Sequence, residues 1–323
     1  MTKVLITGAT GFIGKNLISY LKQKEYQLKI LYRKENYANH LKKFGEIYFC
    51  DLKNLNSLNG FLKDVEVIIH SAGSVRGNSY KDFYEGNVST TENLIKLIKK
   101  EAPNLKKFIY LSSLSASGPS NSEDPPTEEE MPMPVSHYGI SKLQAEELIK
   151  SNLDIPFFIL RLTGVYGPED KEIFKFFKYA NKGTLFLPFK KNQKIQLIYV
   201  KDVCLAIEKA IHNENFGTFF IAHSEILQTL EIFFFLKEIV GRSIKIITLP
   251  DTIVRFFSYL NWFTGFISGR KTMFNPQKVR ELLSEKWICS TEKAEKMLNF
   301  KAEYSFNKGA KETYKWYIDN KWL

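Results

Sequence analysis

Cysteine is scarce: Cys50, Cys204 and Cys289 are the only three in 323 residues, widely spaced and with no two in C-x-x-C register. An odd, scattered set frames neither a disulfide scaffold nor a zinc site, so no metal is expected and a reducing cytoplasm fits best. Also missing is an apolar run of the roughly 18 to 20 residues that a spanning helix requires. The nearest approach, Phe256 to Gly269, is uncharged and aromatic but too short to cross a bilayer. It is expected to wall or lid a site for an apolar or aromatic small molecule, with peripheral contact between an interfacial helix and lipid as the alternative. Finger, homeodomain and arginine-rich motifs are absent, so the net charge of +11 reads as a lysine-rich solvated surface, and nucleic acid is not an expected partner. The strand-like stretch from Lys3 to Thr7 starts almost at Met1, which leaves no room for a cleavable leader, and a cytoplasmic location is expected.

What is present is the composition of a packed globular protein, 44% hydrophobic and 25% charged, in a chain long enough for about two lobes. The first half alternates apolar runs with amphipathic segments: KVLIT, a helix from Ile13 to Lys24, LKILY, EIYFC, VEVIIH, a helix from Thr91 to Lys100, KFIYLSS, and later PFFILRL. Strands alternating with helices predict a parallel sheet, and apolar runs without period-two alternation predict strands covered on both faces. The polar stretch Ser117 to Val135 is long enough to be a functional loop. After PFFILRL the pattern changes to Phe-rich helices and short strands, with turn signals at Gly183, Pro188, Gly217 and Pro250.

Directly after the first strand stands Gly8-Ala9-Thr10-Gly11-Phe12-Ile13-Gly14, opening a helix. Glycine lets such a turn take positive φ and bring backbone close to a pyrophosphate, and the helix start offers unpaired N–H groups. Strand, glycine turn and helix at the head of a βαβ series predict a dinucleotide site with contacts from Gly8, Thr10, Gly11, Phe12, Ile13 and Gly14, and hydroxyl help from Thr7. The fold expected is α/β, a doubly wound parallel sheet of Rossmann type over residues 1–167 with a smaller C-terminal α+β substrate lobe over 168–323. IQLIYV and the helix after it, near 195–211, are expected to return to the sheet edge.

At the end of the second strand, where a carboxylate would accept from an adenosine ribose, the chain reads Tyr32-Arg33-Lys34. Two cations there suit an extra phosphate, so NADP(H) is favoured over NAD(H), the alternative being a solvent-facing basic turn. Asp51 and Leu52 after the third strand, and Ala72 and Gly73 after the fourth, are further expected contacts with the dinucleotide. Asp51 can equally cap a following helix, and Ala72-Gly73 can simply permit tight packing.

Four Tyr-x-x-x-Lys pairs occur, at Tyr20/Lys24, Tyr138/Lys142, Tyr304/Lys308 and Tyr317/Lys321. Only Tyr138/Lys142 follows the fifth strand, whose end should open on the ligand crevice. On a helix the two share a face, and an ammonium beside the phenol, with a positive nicotinamide nearby, is expected to lower the phenol's pKa toward neutrality. Ser113 at the strand end is the expected hydroxyl for the substrate oxygen, ahead of Ser112 and Ser115. Asn87 can hold Lys142 through water, or be structural.

With these residues assembled, the chain resembles the extended branch of the short-chain dehydrogenase/reductase superfamily along essentially its whole length. TGATGFIG matches that family's dinucleotide turn, Ser113, Tyr138 and Lys142 its triad, LRLTGVYGP its strand into the substrate lobe, and IYVKDVCLAI its V-x-D-V segment. The segment from Lys107 to Lys142 resembles members described as NAD-dependent epimerase/dehydratases, and LYRK the dihydroflavonol-reductase-like members. The resemblance implies Tyr138 as acid/base, Ser113 as the group positioning the reacting oxygen, Lys142 and Asn87 on the cofactor side, Leu162 as a cofactor contact, Asp202 as a structural anchor, and a homodimer. Leu114 and Ser115 replace the acidic residues that dehydratase members carry after the active-site hydroxyl. Gly164 and the Gln193/Gln196 stretch replace the Asn and Arg with which epimerases grip a diphosphate. An oxidoreductase moving a hydride to or from a carbonyl or secondary alcohol is therefore the expectation, with a nucleotide-sugar epimerase and a non-catalytic NADP sensor as alternatives.

Overall fold

The computed structural model describes residues 1–54, 60–187 and 192–323. The turn signal at Pro188 lies outside the described residues. Seven strands form the central sheet: β1 (Lys3–Thr7), β2 (Gln27–Tyr32), β3 (Glu46–Phe49), β4 (Val67–His70), β5 (Lys107–Ser113), β6 (Phe157–Leu162) and β7 (Gly217–Ile221). Their order is 7-6-5-4-1-2-3 and every pairing is parallel. The direction of winding reverses between β1 and β4, and the crevice above that switch point is where ligands bind in such sheets.

Both faces of the sheet are covered, which is why its strands read as continuous apolar runs. Val4, Ile6, Ile109 and Leu160 pack on one side against Leu17 and Leu21 of α1 (Phe12–Gln23). Leu5, Ile68, Phe108 and Ile159 pack on the other against Leu94 and Ile98 of α2 (Thr90–Glu101) and Ala145 and Ile149 of α3 (His137–Asn152).

The return to the sheet edge differs from expectation. IQLIYV yields the short pieces Lys194–Ile195 and Leu197–Tyr199, and the latter pairs with Gly164–Tyr166 in a separate two-stranded ribbon. Leu197–Tyr199 runs straight into α4 (Val200–His212), which packs on α1 and supplies the crossover to β7. Gly217, read as a turn signal, instead opens β7 at φ +131°, and Phe219, Phe220 and Ile221 behind it are fully buried.

The polar loop before α3 is tied down along its length. Glu128 accepts the Phe220 N–H at 2.7 Å, which covers the exposed sheet edge. Ser120 N–H donates to Lys286 O at 2.9 Å and Ser290 N–H to Pro126 O at 2.9 Å. The Phe-rich remainder of the chain builds an aromatic core of its own around Tyr166, Phe177, Tyr199, Phe233 and Tyr317. Asp202, at the start of α4, accepts from the N–H groups of Glu303 and Tyr304 at 3.0 and 3.1 Å and so anchors the C-terminal segment.

Candidate active site

The glycine turn is built by steric necessity. Gly8 has φ +75°, and a Cβ placed there would lie 2.6 Å from Ala72 N and 2.7 Å from Ser71 O, so only glycine lets β1 end against the strand beside it. Helix α1 begins on Gly11 with no side-chain cap and no acid in its first turn. Its leading N–H groups thus face the crevice without an anionic side chain in competition, which is the arrangement a pyrophosphate needs. Thr10, Phe12 and Ile13 are part-exposed around it.

Thr7 is not available to a ligand. Its Oγ1 accepts the Ala72 N–H at 3.1 Å and sits 2.7 Å from His70 Nδ1; His70 Nε2 sits 3.1 Å from Thr91 Oγ1, and Thr91 donates to Asn87 O at 2.6 Å. Since the Thr91 proton goes to Asn87, Thr91 accepts from His70 Nε2–H and the imidazole is neutral with Nδ1 accepting from Thr7. The relay links the floor of the glycine turn to the helix carrying Asn87. Burial, with Lys142 nearby, holds His70 down at about 3, from an ordinary 6.5.

A folded pKa below the unfolded one means that the stabilising contribution of His70 is complete above pH 6.5 and is lost as pH falls toward 3. Between pH 7 and pH 5 this one group is expected to remove roughly 2 kcal/mol of stability. Urea midpoints measured at both pH values should therefore fall more steeply in wild type than in His70→Asn. Equal slopes would refute the assignment.

Beyond β2, Arg33 and Lys34 are exposed, and Arg33 Nη1 stands 4.0 Å from Asp51 Oδ1 at the end of β3. Asp51 Oδ1 also accepts the Lys53 N–H at 3.1 Å. Leu52 is buried, with its carbonyl taken by Asn93 at 2.7 Å. Leu162 packs its side chain among Leu111 and Leu160 in the core, leaving only backbone to face a ligand.

At the other half of the crevice, β5 separates its serines by alternation. Ser112 is buried and donates to Glu146 Oε1 at 2.5 Å, whereas Ser113 is part-exposed and caps the short turn Leu114–Ser117 by accepting the Ser115 N–H at 3.1 Å. Helix α3 starts from Ser136, whose Oγ accepts the Gly139 N–H at 3.0 Å. Tyr138 in its first turn is half-buried and meets Phe83 edge to face at 6.1 Å. Burial pushes its phenol up to about 12; a Ser113 hydrogen bond pulls the other way, and Glu281 adds to the rise.

Burial, rather than Lys142, is the largest influence on that phenol. The Lys142 Nζ donates to Leu111 O at 2.5 Å and lies 4.1 Å from the Tyr110 ring centre, and burial brings the ammonium down to about 7 against the opposing pull of Glu146. Both groups are governed by desolvation, which favours their neutral forms, so near neutral pH Tyr138 is a phenol with a proton to give.

Asn87 does not reach Lys142 through these bonds. Its amide donates to Ser74 O at 3.1 Å and Ser141 Oγ at 2.9 Å, and it accepts the Ser74 N–H at 2.7 Å. It lies in a π-helical turn, Tyr84–Ser89, that re-aims it toward the loop after β4. Gly73 sits where these groups converge: a Cβ there would be 2.8 Å from Asn87 Oδ1 and 3.9 Å from Lys142 Nζ.

The other three Tyr-x-x-x-Lys pairs are occupied elsewhere. Tyr20 donates to Glu208, Tyr317 donates to Asp170 O at 2.9 Å, and Lys308 stacks over Tyr304 at 4.1 Å. Two groups that the sequence reading did not include belong beside the site. One is His70. The other is Glu281, buried on the helix Pro276–Leu282, which accepts from Ser136 Oγ and pairs with Lys278 at 2.7 Å.

The fold and the edge on which these groups meet define a nucleotide-binding enzyme of the extended short-chain dehydrogenase/reductase type. The family model described as NAD dependent epimerase/dehydratase matches residues 4–222, and the chain belongs to that family. It is 24% identical over 325 residues to the ceramide reductase of Caulobacter vibrioides, covering 99% of this chain and 96% of that one. It is 30% identical over 252 residues to the dTDP-D-glucose 4,6-dehydratase of Dictyostelium discoideum, covering 67% of this chain and 56% of the relative. Among solved structures, the UDP-glucuronic acid 4-epimerase of Bacillus cereus, in complex with UDP-glucuronic acid and NAD, superposes with a TM-score of 0.79 at 23% identity over 99% of this chain and 100% of that one.

Proposed function

We propose that the chain is a nicotinamide-dependent reductase acting on a carbonyl in an apolar, lipid-like molecule, with Tyr138 as proton donor. The observation that carries this reading is the state of Gln193 and Gln196. Gln193 spends its amide on the carbonyls of Leu282 and Ser284, and Gln196 spends its own on His223 O at 3.1 Å and the Cys289 N–H at 2.6 Å. Both are buried with their amides engaged inside the protein, the Gln193 oxygen accepting from the Thr229 hydroxyl at 3.4 Å, so neither offers a grip for a sugar diphosphate. The end-to-end likeness to a protein named ceramide reductase supports a lipid in that place.

A nicotinamide nucleotide held at the glycine turn would supply the hydride. Tyr138 gives its phenolic proton to the carbonyl oxygen, and the Ser113 hydroxyl orients the same oxygen by donating to it. In its ammonium form, with a proton taken from solvent where burial has left the amine neutral, Lys142 would stabilise the phenolate left behind. Arg33 and Lys34 support NADP(H) over NAD(H), because both stand exposed beyond β2 and offer two cations to an extra phosphate.

The test is consumption of reduced cofactor by purified chain with a panel of long-chain ketones. NADPH is expected to outperform NADH. Arg33→Ser should cut that preference roughly 10- to 100-fold, the equivalent of one charged hydrogen bond of about 1.5–3 kcal/mol. A second reading, a nucleotide-sugar epimerase, draws on the family that the chain belongs to. It requires oxidised NAD retained through purification, and mass spectrometry of the denatured protein finding it at one per chain would overturn the reductase.

A further inference from the structure

One helix of the structure is packed inside out. Helix α5 (Asp251–Ile267) buries Val254, Ser258 and Gly265, a narrow stripe of small residues at helical spacing, and turns its large side chains outward. Ile253, Phe256, Phe257, Tyr259, Leu260, Phe263, Phe266 and Ile267 are all exposed, Phe256 and Phe266 at 64% and Ile267 at 69%. At 100° per residue these eight positions sweep about half the circumference, and a soluble helix puts its apolar half on the core side. At 17 residues the helix is about 25 Å long, and no described helix is long and apolar enough to cross a membrane.

The charges along this stretch of chain are mostly of one sign. From residue 251 to 280 the chain carries Arg255, Arg270, Lys271, Lys278 and Arg280 against the single acid Asp251. Lys271 pairs with Asp82 and Lys278 with Glu281, while Arg255, Arg270 and Arg280 have no ion-pair partner among the described residues. Outward aromatics flanked by unpaired arginines complement an anionic lipid surface, with rings at the level of the headgroups and guanidinium groups on phosphate.

The helix is also joined to the crevice. Trp262 Nε1 donates to Asn78 O at 2.8 Å, Asn78 Nδ2 donates to Arg270 O at 2.9 Å, and Asn275 donates to Gly77 O at 2.9 Å. The loop so gripped begins at Ser74, which Asn87 holds beside Gly73 and Lys142. We propose that α5 lies in the plane of an anionic bilayer surface with its aromatic face down, setting the mouth of the site against the lipid. This rests on the reductase reading only for the choice of substrate; the surface itself is a property of the helix. It also revises the expectation of a wall or lid, since the aromatics point away from the protein.

The experiment is flotation of the full chain with vesicles of phosphatidylcholine alone or mixed with phosphatidylglycerol, without cofactor or carbonyl. Wild type is expected to float with the mixed vesicles and to be released by salt. The triple variant Phe256→Ser/Phe263→Ser/Phe266→Ser should lose at least about tenfold in partitioning, and Arg255→Ser/Arg270→Ser should lose the advantage of mixed over neutral vesicles. Thermal stabilisation of both variants by NADPH, matching wild type, establishes that they are folded. Failure of wild type to bind mixed vesicles overturns the proposal, as does binding that survives the triple substitution. So does light scattering that finds a dimer dissociated by the triple variant, because the face then belongs to a second copy. Vesicle binding without ketone turnover would leave the surface standing and remove the reductase; turnover without vesicle binding would do the reverse.

Discussion

Tyr138→Phe is expected to lower turnover by about 10²- to 10⁴-fold, the usual range for a positioned proton donor, while leaving the nucleotide in place. The ring survives the change, and with it the edge-to-face contact to Phe83, so the first turn of α3 should keep its shape. What disappears is one hydroxyl and its hydrogen bond with Ser113. Two measurements separate chemistry from binding: cofactor consumption at saturating ketone, and thermal stabilisation by NADPH. A loss in the first with none in the second is the expected pattern. Turnover equal to wild type would remove the phenol from the mechanism.

Glu146→Ala should destabilise the protein by roughly 3–5 kcal/mol, a large share of the 5–15 kcal/mol by which most domains are stable. Glu146 and Arg161 are 0% and 2% exposed, and the guanidinium meets both carboxylate oxygens, with the shortest contact 2.7 Å between Nη2 and Oε2. Removing the acid strands a cation between sheet and helix and deprives Ser112 of its acceptor. The pair is imperfect even in the native protein, since Arg161 Nη1 has no hydrogen-bond partner. Replacing both members, as in Glu146→Leu/Arg161→Met, should therefore recover much of the loss, and the double variant should melt above either single one. A double variant as unstable as Glu146→Ala would show that the pair does more than neutralise itself.

The sheet was largely legible because strands buried on both faces leave continuous apolar runs, and the glycine turn because its spacing answers to a steric need at Gly8. The edge strand β7 escaped for a related reason: GTFFI opens on a glycine that reads equally as a turn. Tyr138 and Lys142 stood out from three identical spacings through their place after the fifth strand. Glu281 gave no such signal. Asn275 and Pro276 mark the start of its helix, as a cap and a first-turn proline should, but its meeting with Ser136 spans 145 positions and depends on tertiary packing alone. Sequence spacing reveals the lysine one turn from the phenol and conceals the burial that raises the phenol's pKa. For α5, an uncharged aromatic stretch shows no polar face, so its outward orientation followed only from finding which small residues touch the protein.

The hydrogen bond from Ser136 to Glu281 gives the C-terminal half of the chain a hand on the helix that carries Tyr138. The serine holds the first turn of the tyrosine helix by its Gly139 amide, and the acid that steadies the serine arrives from a helix that follows α5 within a dozen residues. Val254 of α5 packs against Val279 and Leu283 beside that acid, so one apolar contact and two short polar ones join α5 to the first turn of the Tyr138 helix. If α5 meets a surface, the anchoring of the molecule and the placing of Tyr138 share this one line of contacts.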